Sequence, residues 1–361
     1  MWFAGWVSGP NPDRLDAVTD VLLREAGDLA EPVAVLDDVA GALTRVLMAR
    51  GVEFRVWCDD LREEEAAVRA CRDLSPTIAS TPAEALADVR TVLWRLPKAV
   101  SAVEEYAELI AQHAAPDVRV FAAGRDKHLS RSMNQALASR FTNVRASLGY
   151  RKARALLADG PIPGQVTWPR SGHLDVLDLE VSAHGATFNT FRLDRGTALL
   201  ASVFDRVPDA DRAIDLGCGS GILASLLARQ GRSVTAIDVT WSACDATRLT
   251  AEAHGLTIDV QRRDGLAHWA EPVDLIVTNP PFHIGTAKDT EPTRRLFEQV
   301  GAALADHGEF WCVYNAHLPY LAWLRDSIGP TQIVMRDRAY VLTRSAQTAL
   351  PLAPVLWRSA D

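Results

Sequence analysis

A glycine-rich segment at residues 215–221 constrains the fold more strongly than any other part of this sequence. It reads Asp215-Leu216-Gly217-Cys218-Gly219-Ser220-Gly221 and lies between an apolar run, Ala213–Leu216, and a helical pattern, Ile222–Arg229. Glycines at alternate positions let the backbone turn tightly and approach a ligand closely. A strand, a glycine turn and a helix in this order predict a ligand-binding α/β domain.

Strands and helices alternate through the rest of the chain as well. Apolar runs such as Val33–Leu36 alternate with helical patterns such as Val103–His113, which predicts parallel βαβ units. A length of 361 residues fits two domains of ordinary size. The stretch from Asp159 to Gly172 is rich in proline and glycine and predicts the junction. We therefore expect two α/β domains, residues 1–165 and residues 166–361.

The two halves carry related patterns, but only one has the glycine segment. Thr91–Lys98 (TVLWRLPK) has the same place in its half as Leu275–Phe282 (LIVTNPPF) has in the other. The first apolar run of the N-terminal half, Val33–Leu36, leads into Asp37 and Asp38 with no glycine loop behind it. The N-terminal half is thus predicted to be a copy of the fold that binds no cofactor.

Acidic residues near the glycine segment indicate which cofactor the second half binds. The spacing D-x-G-x-G-x-G differs from the G-x-G-x-x-G of dinucleotide sites and suits a ligand with a charged amino-acid moiety. Asp238 ends the next strand, where it can accept hydrogen bonds from two ribose hydroxyls, and Asp264 follows the third, where it can accept from an adenine amino group. This set predicts S-adenosylmethionine as the cofactor. The predicted binding residues are Asp215, Leu216, Gly217, Gly219, Gly221, Asp238, Asp264 and Gly265.

The tetrapeptide Asn279-Pro280-Pro281-Phe282 follows the apolar strand Leu275–Thr278 and is predicted to be catalytic. An exocyclic amine is a poor nucleophile because its lone pair is delocalised into the ring. Two acceptors, the Asn279 side-chain oxygen and the Pro280 carbonyl, can bind its N–H groups and turn the lone pair toward a methyl donor. The two prolines hold the backbone rigid, and Phe282 offers a face on which a base can stack.

The residues leave the acceptor of the methyl group open. The same arrangement can align the exocyclic amino group of a nucleobase or the side-chain amide of a protein glutamine. DNA adenine is a third acceptor, although no DNA-recognition module is recognisable in the sequence. From a different class, the chain could be a non-catalytic RNA-binding or ribosome assembly protein that has kept a methyltransferase fold.

A basic segment lies in the N-terminal half, although the whole chain is acidic. Between Val118 and Leu156 there are nine basic residues and one acid, so the segment carries +8 in a chain of net charge −8. Such segregation predicts a local phosphate-binding surface. The residues predicted to bind RNA are Arg125, Lys127, Arg131, Arg151, Lys152 and Arg154.

With these motifs in hand, the chain resembles the bacterial ribosomal RNA guanine-N2 methyltransferases of tandem architecture. The matching segments are Asn279–His283 (NPPFH), Leu193–Thr197 (LDRGT) and Asn315–Tyr320 (NAHLPY). The resemblance implies two tandem class I methyltransferase-like, or Rossmann-like, domains, of which the second binds cofactor and the first helps to engage RNA. It also implies guanine N2 in ribosomal RNA or a ribosomal subunit as the substrate. The resemblance in the Leu193–Thr197 segment further implies that Asp194 and Gly196 are cofactor-binding residues.

The cysteine spacing and the hydropathy of the sequence indicate whether the chain binds metal and where in the cell it works. The five cysteines are scattered without paired or metal-ligand spacing, which predicts reduced thiols in a cytoplasm and no metal site. No window approaches the length of an apolar membrane span, and the N-terminus has no signal-peptide pattern. We expect a cytoplasmic monomer that does not associate with membranes.

Overall fold

The computed structural model describes residues 15–71, 77–280, 291–351 and 355–357. The chain divides into two compact units, Met1–Thr167 and Trp168–Asp361. Each unit has its own mixed sheet with helices, so the α/β fold with two tandem domains that the sequence predicts is confirmed. Among the described residues, no helix combines the length and the apolar character needed to cross a membrane.

The first unit alternates helices and strands from its first described residues until it ends with two consecutive strands. Its helices are α1 (Ala17–Ala26), α2 (Ala42–Arg50), α3 (Leu61–Ala70), α4 (Pro82–Leu86), α5 (Val100–His113) and α6 (Arg131–Ala138). Its strands are β1 (Val33–Leu36), β2 (Phe54–Trp57), β3 (Thr77–Ile78), β4 (Thr91–Arg95), β5 (Arg119–Arg125), β6 (Phe141–Ala146) and β7 (Ala153–Pro161).

The sheet of the first unit has the strand order β3-β2-β1-β4-β5-β7-β6. The five strands from β3 to β5 are parallel, and β7 runs antiparallel to both of its neighbours. All four residues of β1 are buried. This explains why β1 is a continuous apolar run in the sequence, since a central parallel strand is covered by helices on both faces.

The second unit begins with a hairpin and continues as a second mixed sheet. Its helices are α7 (Arg195–Ala201), α8 (Ile222–Arg229), α9 (Trp241–Ala253), α10 (Glu291–Ala303) and α11 (Tyr320–Ser327). Its strands are β8 (Arg170–Leu174), β9 (Leu179–Ala183), β10 (Arg212–Leu216), β11 (Ser233–Asp238), β12 (Ile258–Arg262), β13 (Val273–Thr278), β14 (Leu304–Asn315), β15 (Thr331–Arg336), β16 (Tyr340–Ser345) and β17 (Leu356–Trp357).

The sheet of the second unit has the order β12-β11-β10-β13-β14-β16-β15-β17. Its first seven positions repeat the order of the first unit, and β17 is added at the edge. Strands β10 to β14 are parallel, whereas β16 runs antiparallel to β14 and β15. Apolar clusters cover both faces of this sheet, one around Leu227 and Val277 and the other around Phe297 and Phe310.

Two details differ from the sequence-based expectations. The predicted junction from Asp159 to Gly172 includes the end of β7 and the start of β8, so only residues 162–169 lack regular structure there. The tail beyond Arg344, which shows no pattern in the sequence, supplies β17, and β17 pairs with β15. The pairings of β7 with β5 and of β17 with β15 join segments that are distant in sequence, which local composition does not report.

Candidate active site

Four of the predicted site residues lie at the ends of adjacent parallel strands in the second unit. Across the sheet, Asp264 follows β12, Asp238 ends β11, Asp215 lies on β10 and Asn279 follows β13. Because parallel strands end on the same edge of a sheet, these four residues lie along one edge. Doubly wound folds bind their ligands at this edge.

The glycine loop after β10 has a backbone that other residues rarely adopt. Gly217, Gly219 and Gly221 have φ angles of +80°, +56° and +78°. A Cβ added at Gly217 or Gly219 would meet no atom within 4 Å, so these positions leave open space beside the backbone. A Cβ at Gly221 would lie 3.0 Å from Thr247 of α9. The first two glycines therefore face open space, and the third lets α8 and α9 approach each other.

Asp215 is buried beneath this loop with one carboxylate oxygen bonded and the other free. Its Oδ2 accepts a hydrogen bond from the Ala224 amide of α8 at 2.9 Å. Its Oδ1 is buried and has no hydrogen-bond partner among the described residues. Burial, and next the charge of Asp238, raise the pKa of Asp215 to about 7. The carboxyl thus ties the end of β10 to α8, and one of its oxygens has no partner among the described residues.

Asp238 is fixed by the residues around it. Its Oδ1 accepts from the Thr240 amide and hydroxyl, each at 2.9 Å, and its Oδ2 accepts from the Gly219 amide at 3.2 Å. Burial raises the pKa of this carboxyl above its ordinary value. Asp264 is exposed beyond β12, and a Cβ at its neighbour Gly265 would lie 2.5 Å from the Gln299 side chain.

Asn279 has a side chain with one end fully bonded and the other end free. Its Nδ2 donates to Asp194 Oδ1 and to Thr197 Oγ1, each at 3.0 Å. Its Oδ1 is buried and has no partner among the described residues. A Cβ at Gly196 would lie 2.9 Å from that oxygen, so only glycine fits at this position without displacement. The structure therefore places Asp194 and Gly196 beside Asn279.

Threonine hydroxyls complete the site, and the sequence interpretation assigned them no role. Thr278 Oγ1 donates to the Leu216 carbonyl at 2.6 Å and ties the end of β13 to the end of β10. Thr197 and Thr240 contact Asn279 and Asp238 directly. A signal was present, since each threonine is within three residues of a predicted site residue, but the partners of two of them are distant in sequence.

Not every predicted catalytic residue can be placed. Pro280 is buried directly after Asn279. Pro281 and Phe282 lie outside the described residues, as does His283, the last residue of the NPPFH segment.

The corresponding loop of the first unit is built differently. Asp37 follows β1 as Gly217 follows β10, and it has the left-handed φ of +60° despite its side chain. Its Oδ1 accepts a hydrogen bond from the Asp59 amide at 3.0 Å. The next residue, Asp38, is buried and accepts from two amides of α2. An acidic side chain therefore lies where the second unit has an open glycine position.

The residues predicted to bind RNA lie together near the ends of β5 and β7. Arg125 pairs with Ala153 across these strands, and its guanidinium donates to the Arg151 carbonyl at 3.3 Å. Arg151 also pairs with Asp20 at 3.0 Å, so part of its charge is neutralised. The six side chains, all exposed, are Arg125, Lys127, Arg131, Arg151, Lys152 and Arg154.

A sheet of this order, with a glycine loop after β10 and an asparagine after the neighbouring strand β13, defines a class I methyltransferase. Residues 178–344 match the family described as methyltransferase small domain, and residues 15–161 match the RLMG N-terminal domain. The large subunit methyltransferase G of Stutzerimonas stutzeri, a ribosomal RNA enzyme by name, is 34% identical over 262 residues, covering 70% of each chain. The chain belongs to the ribosomal RNA large subunit methyltransferase G family.

Further comparisons extend over almost the whole chain. The large subunit methyltransferase G of Streptomyces avermitilis is 32% identical over 363 residues, covering 93% of this chain and 94% of the relative. Among solved structures, the 16S rRNA N2 G1207 methyltransferase of T. thermophilus, in complex with AdoMet and guanosine, has a TM-score of 0.77. It covers 92% of each chain at 20% identity and supports the two-domain fold. The predicted resemblance to a tandem methyltransferase family is confirmed.

Proposed function

We propose that this chain transfers a methyl group from S-adenosylmethionine to the exocyclic N2 amino group of a guanine in ribosomal RNA. Residues 166–361 form the catalytic domain in this proposal, and residues 1–165 engage the RNA. The relatives are named as ribosomal RNA methyltransferases, which supports the substrate class. The observation that carries the proposal is the buried, unpartnered Oδ1 of Asn279, since an amine is the kind of substrate that such an acceptor binds.

The residues around the glycine loop fit the cofactor. Gly217 and Gly219 leave open space beside the backbone, and Asp215 keeps a buried acceptor free. Asp238 holds the ribose hydroxyls and Asp264 the adenine amino group in this proposal, while Leu216, Gly221, Gly265, Asp194 and Gly196 shape the pocket. When bound, S-adenosylmethionine supplies an electrophilic methyl group on a sulfonium.

The catalytic work of the chain is to align the amine. Asn279 Oδ1 accepts one N–H of the guanine amino group and the Pro280 carbonyl accepts the other, which directs the nitrogen lone pair away from the ring. Pro281 keeps the backbone rigid, and Phe282 stacks on the base. No strong general base is needed before attack, because the amino nitrogen becomes acidic once it is methylated. Rate comes from alignment and electrostatics.

The first domain supplies the RNA contact in this proposal. The exposed side chains of Arg125, Lys127, Arg131, Lys152 and their neighbours bind phosphates. A guanine amino group inside a helix is hard to reach, so the target lies in a loop or is turned out of the stack. We further propose that the protein works in the cytoplasm as a monomer, without metal or membrane, on ribosomal RNA or on an assembled subunit.

The test is transfer of tritiated methyl from S-adenosylmethionine to small- and large-subunit ribosomal RNA and to the corresponding particles. The RNA comes from cells that lack this protein, so its target is unmodified, and the nucleosides are separated by chromatography. We expect label in N2-methylguanosine. If the protein binds S-adenosylmethionine but labels no RNA or particle, the ribosomal assignment fails and protein glutamine amides become the next acceptor to assay.

Asn279→Ala tests the site itself. The substitution removes the free acceptor, and we expect turnover to fall by roughly 10²-fold, as for loss of one aligned electrostatic contact. Binding of S-adenosylmethionine, measured by calorimetry, should persist. Unchanged turnover would remove Asn279 from the mechanism.

A further inference from the structure

The side-chain amide of Asn279 has two ends of similar shape and opposite hydrogen-bonding character. Rotation by half a turn would exchange the acceptor Oδ1 for the donor Nδ2. A donor facing the substrate would oppose the N–H groups of an amine, whereas an acceptor binds them. The orientation of this amide therefore decides whether the site can hold its substrate for reaction.

The start of α7 determines that orientation. Asp194 Oδ1 and Thr197 Oγ1 accept the two Nδ2 hydrogens of Asn279, each at 3.0 Å. An ionised carboxylate can only accept, so Asp194 binds the nitrogen end and cannot bind the oxygen end. The rotated amide would place its oxygen against the carboxylate and leave its nitrogen free. The observed contacts favour one orientation.

Asp194 is itself fixed by the helix that it caps. Its Oδ1 accepts from the backbone amides of Gly196 at 2.9 Å and Thr197 at 3.2 Å, the first turn of α7. The absence of a side chain at Gly196 leaves the space in which the Asn279 amide lies. The helix start and the amide therefore form one rigid arrangement.

The first unit contains the same arrangement with a different side chain. Asp16 caps α1 by accepting from the Val18 amide at 2.9 Å, and it holds the guanidinium of Arg95 at 2.9 Å and 3.2 Å. Thr19 Oγ1 donates to Asp16 Oδ2 at 2.6 Å. Burial opposes ionisation of Asp16, but the bonds from Arg95 and Thr19 outweigh it and lower its pKa to about 2.

The two arrangements correspond in position. Arg95 ends β4 and Asn279 follows β13, and these strands have the same place in their sheets. Asp16 caps α1, which precedes β1 in the chain, and Asp194 caps α7, which precedes β10. A capping aspartate thus binds the nitrogen end of the side chain at the carboxyl end of β4 in one unit and just after β13 in the other, so holding that side chain is a property of the cap.

We propose that Asp194 and Thr197 are positioning residues that set the polarity of the Asn279 amide and so present its oxygen to the substrate amine. The proposal rests on the proposed function, because it concerns the group that binds the amine. Neither residue touches the reacting atoms in this scheme. Their contribution appears in the turnover number and leaves the affinity for RNA unchanged.

Asp194→Asn separates capping from orientation. Asparagine caps helices about as well as aspartate, but its amide can also donate to Asn279 Oδ1 and so permits the rotated form. At saturating S-adenosylmethionine and RNA we expect kcat to fall about tenfold or more, with KM for RNA and the melting temperature unchanged. Thr197→Val should lower kcat about tenfold, and Thr197→Ser, which keeps the acceptor, should restore it.

Asp16→Asn is the matched control, because it is the same substitution at the same cap in the unit that has Arg95 in place of the asparagine. We expect kcat to stay unchanged in this variant. The second readout needs no activity: in cofactor-free protein, side-chain amide protons of Asn279 should exchange with solvent faster in Thr197→Val than in wild type, measured by NMR.

Wild-type kcat in Asp194→Asn, or equal losses in Thr197→Val and Thr197→Ser, would overturn the proposal. Unchanged proton exchange in Thr197→Val would also overturn it. These outcomes differ from failure of the proposed function, in which wild-type protein labels no ribosomal RNA while the exchange result still reports on the orientation of the amide.

Discussion

At Asn279 and Asp215 the protein leaves half of a buried polar group without a partner. Burying an unsatisfied polar atom costs about 1–3 kcal/mol, so a partner that binds such an atom stabilises the folded protein. Both free atoms are oxygens, and both belong to residues at the carboxyl ends of central strands. A ligand that brings hydrogen-bond donors would satisfy them, which agrees with an amine substrate at Asn279.

The carboxyl of Asp215 should make the stability of the cofactor-free protein depend on pH. Its pKa is raised to about 7 in the folded protein, chiefly by burial, against about 3.9 in an unfolded chain. The stability contribution is therefore fully present below about pH 4 and is lost as the pH rises through 7. Between about pH 4 and pH 8, wild type should lose a few kcal/mol more unfolding free energy than Asp215→Asn, at about 1.4 kcal/mol per pKa unit.

Urea unfolding of both proteins over that pH range measures the difference. Other buried acids with a raised pKa, such as Asp38 and Glu63, are present in both proteins and cancel in the comparison. Parallel pH profiles for the two proteins would show that Asp215 is ionised in the folded state throughout.

The site residues that can be predicted from the sequence are those that belong to short motifs of neighbouring positions. The glycine spacing, the acids at strand ends and the Asn-Pro-Pro motif each occupy a few consecutive positions, and the structure places the described ones along one sheet edge. Thr197 and Thr278 adjoin predicted site residues, but their roles are not predicted, because the partners they bind are 82 and 62 residues away. Contacts between distant segments depend on packing, which a single sequence does not specify.

At the scale of elements, the central parallel strands were the most predictable. β1, β10 and β13 are apolar runs because helices cover both faces of the sheet. The sequence does not predict β7, because basic residues precede its short apolar stretch and glycine and proline end it. The sequence does not predict the hairpin of β8 and β9 either, because β8 is largely exposed and its sequence lacks an apolar alternation.

The packing of α8 against α9 should depend on the lack of a side chain at Gly221. Alanine at position 221 would have to adopt a left-handed φ, which costs about 1–2 kcal/mol of stability. Its Cβ would also lie 3.0 Å from Thr247, and this overpacking adds about 1–3 kcal/mol. Gly231 is the control, because its φ of +85° is similar and its Cβ would meet nothing within 4 Å. Urea unfolding should show a larger loss for Gly221→Ala than for Gly231→Ala; equal losses would mean that α9 moves aside without cost.

At the scale of the whole molecule, charge is separated along the chain. A protein of net charge −8 has one strongly basic segment, and the described side chains of that segment predicted to bind RNA are exposed at the ends of β5 and β7. A phosphate-binding role predicts a specific salt dependence. The affinity for RNA falls as salt is added, and each phosphate contact that is lost should make the slope of log affinity against log salt concentration less steep by about 0.7 to 0.9.

Lys127→Ala combined with Lys152→Ala tests this surface. We expect weaker RNA binding and a shallower salt slope, measured by fluorescence anisotropy with an oligouridylate at several salt concentrations. Arg45→Ala combined with Arg50→Ala removes the same charge from exposed positions on α2 and should have a smaller effect. Equal slopes for the two double variants would mean that only net charge matters and that the basic surface has no specific role.

Two units with one strand order and one helix-cap arrangement are what duplication of a single gene produces. After such a duplication, selection for a stable fold alone is enough to retain the capping aspartate, since a cap is worth about 1 kcal/mol whether or not a reaction takes place beside it. The residue at the carboxyl end of β4 or just after β13 is under no such constraint and can differ between copies, as Arg95 and Asn279 do. A lineage therefore loses the chemistry of a copy before it loses the framework that held the reacting group, and the inactive copy remains available for a new ligand.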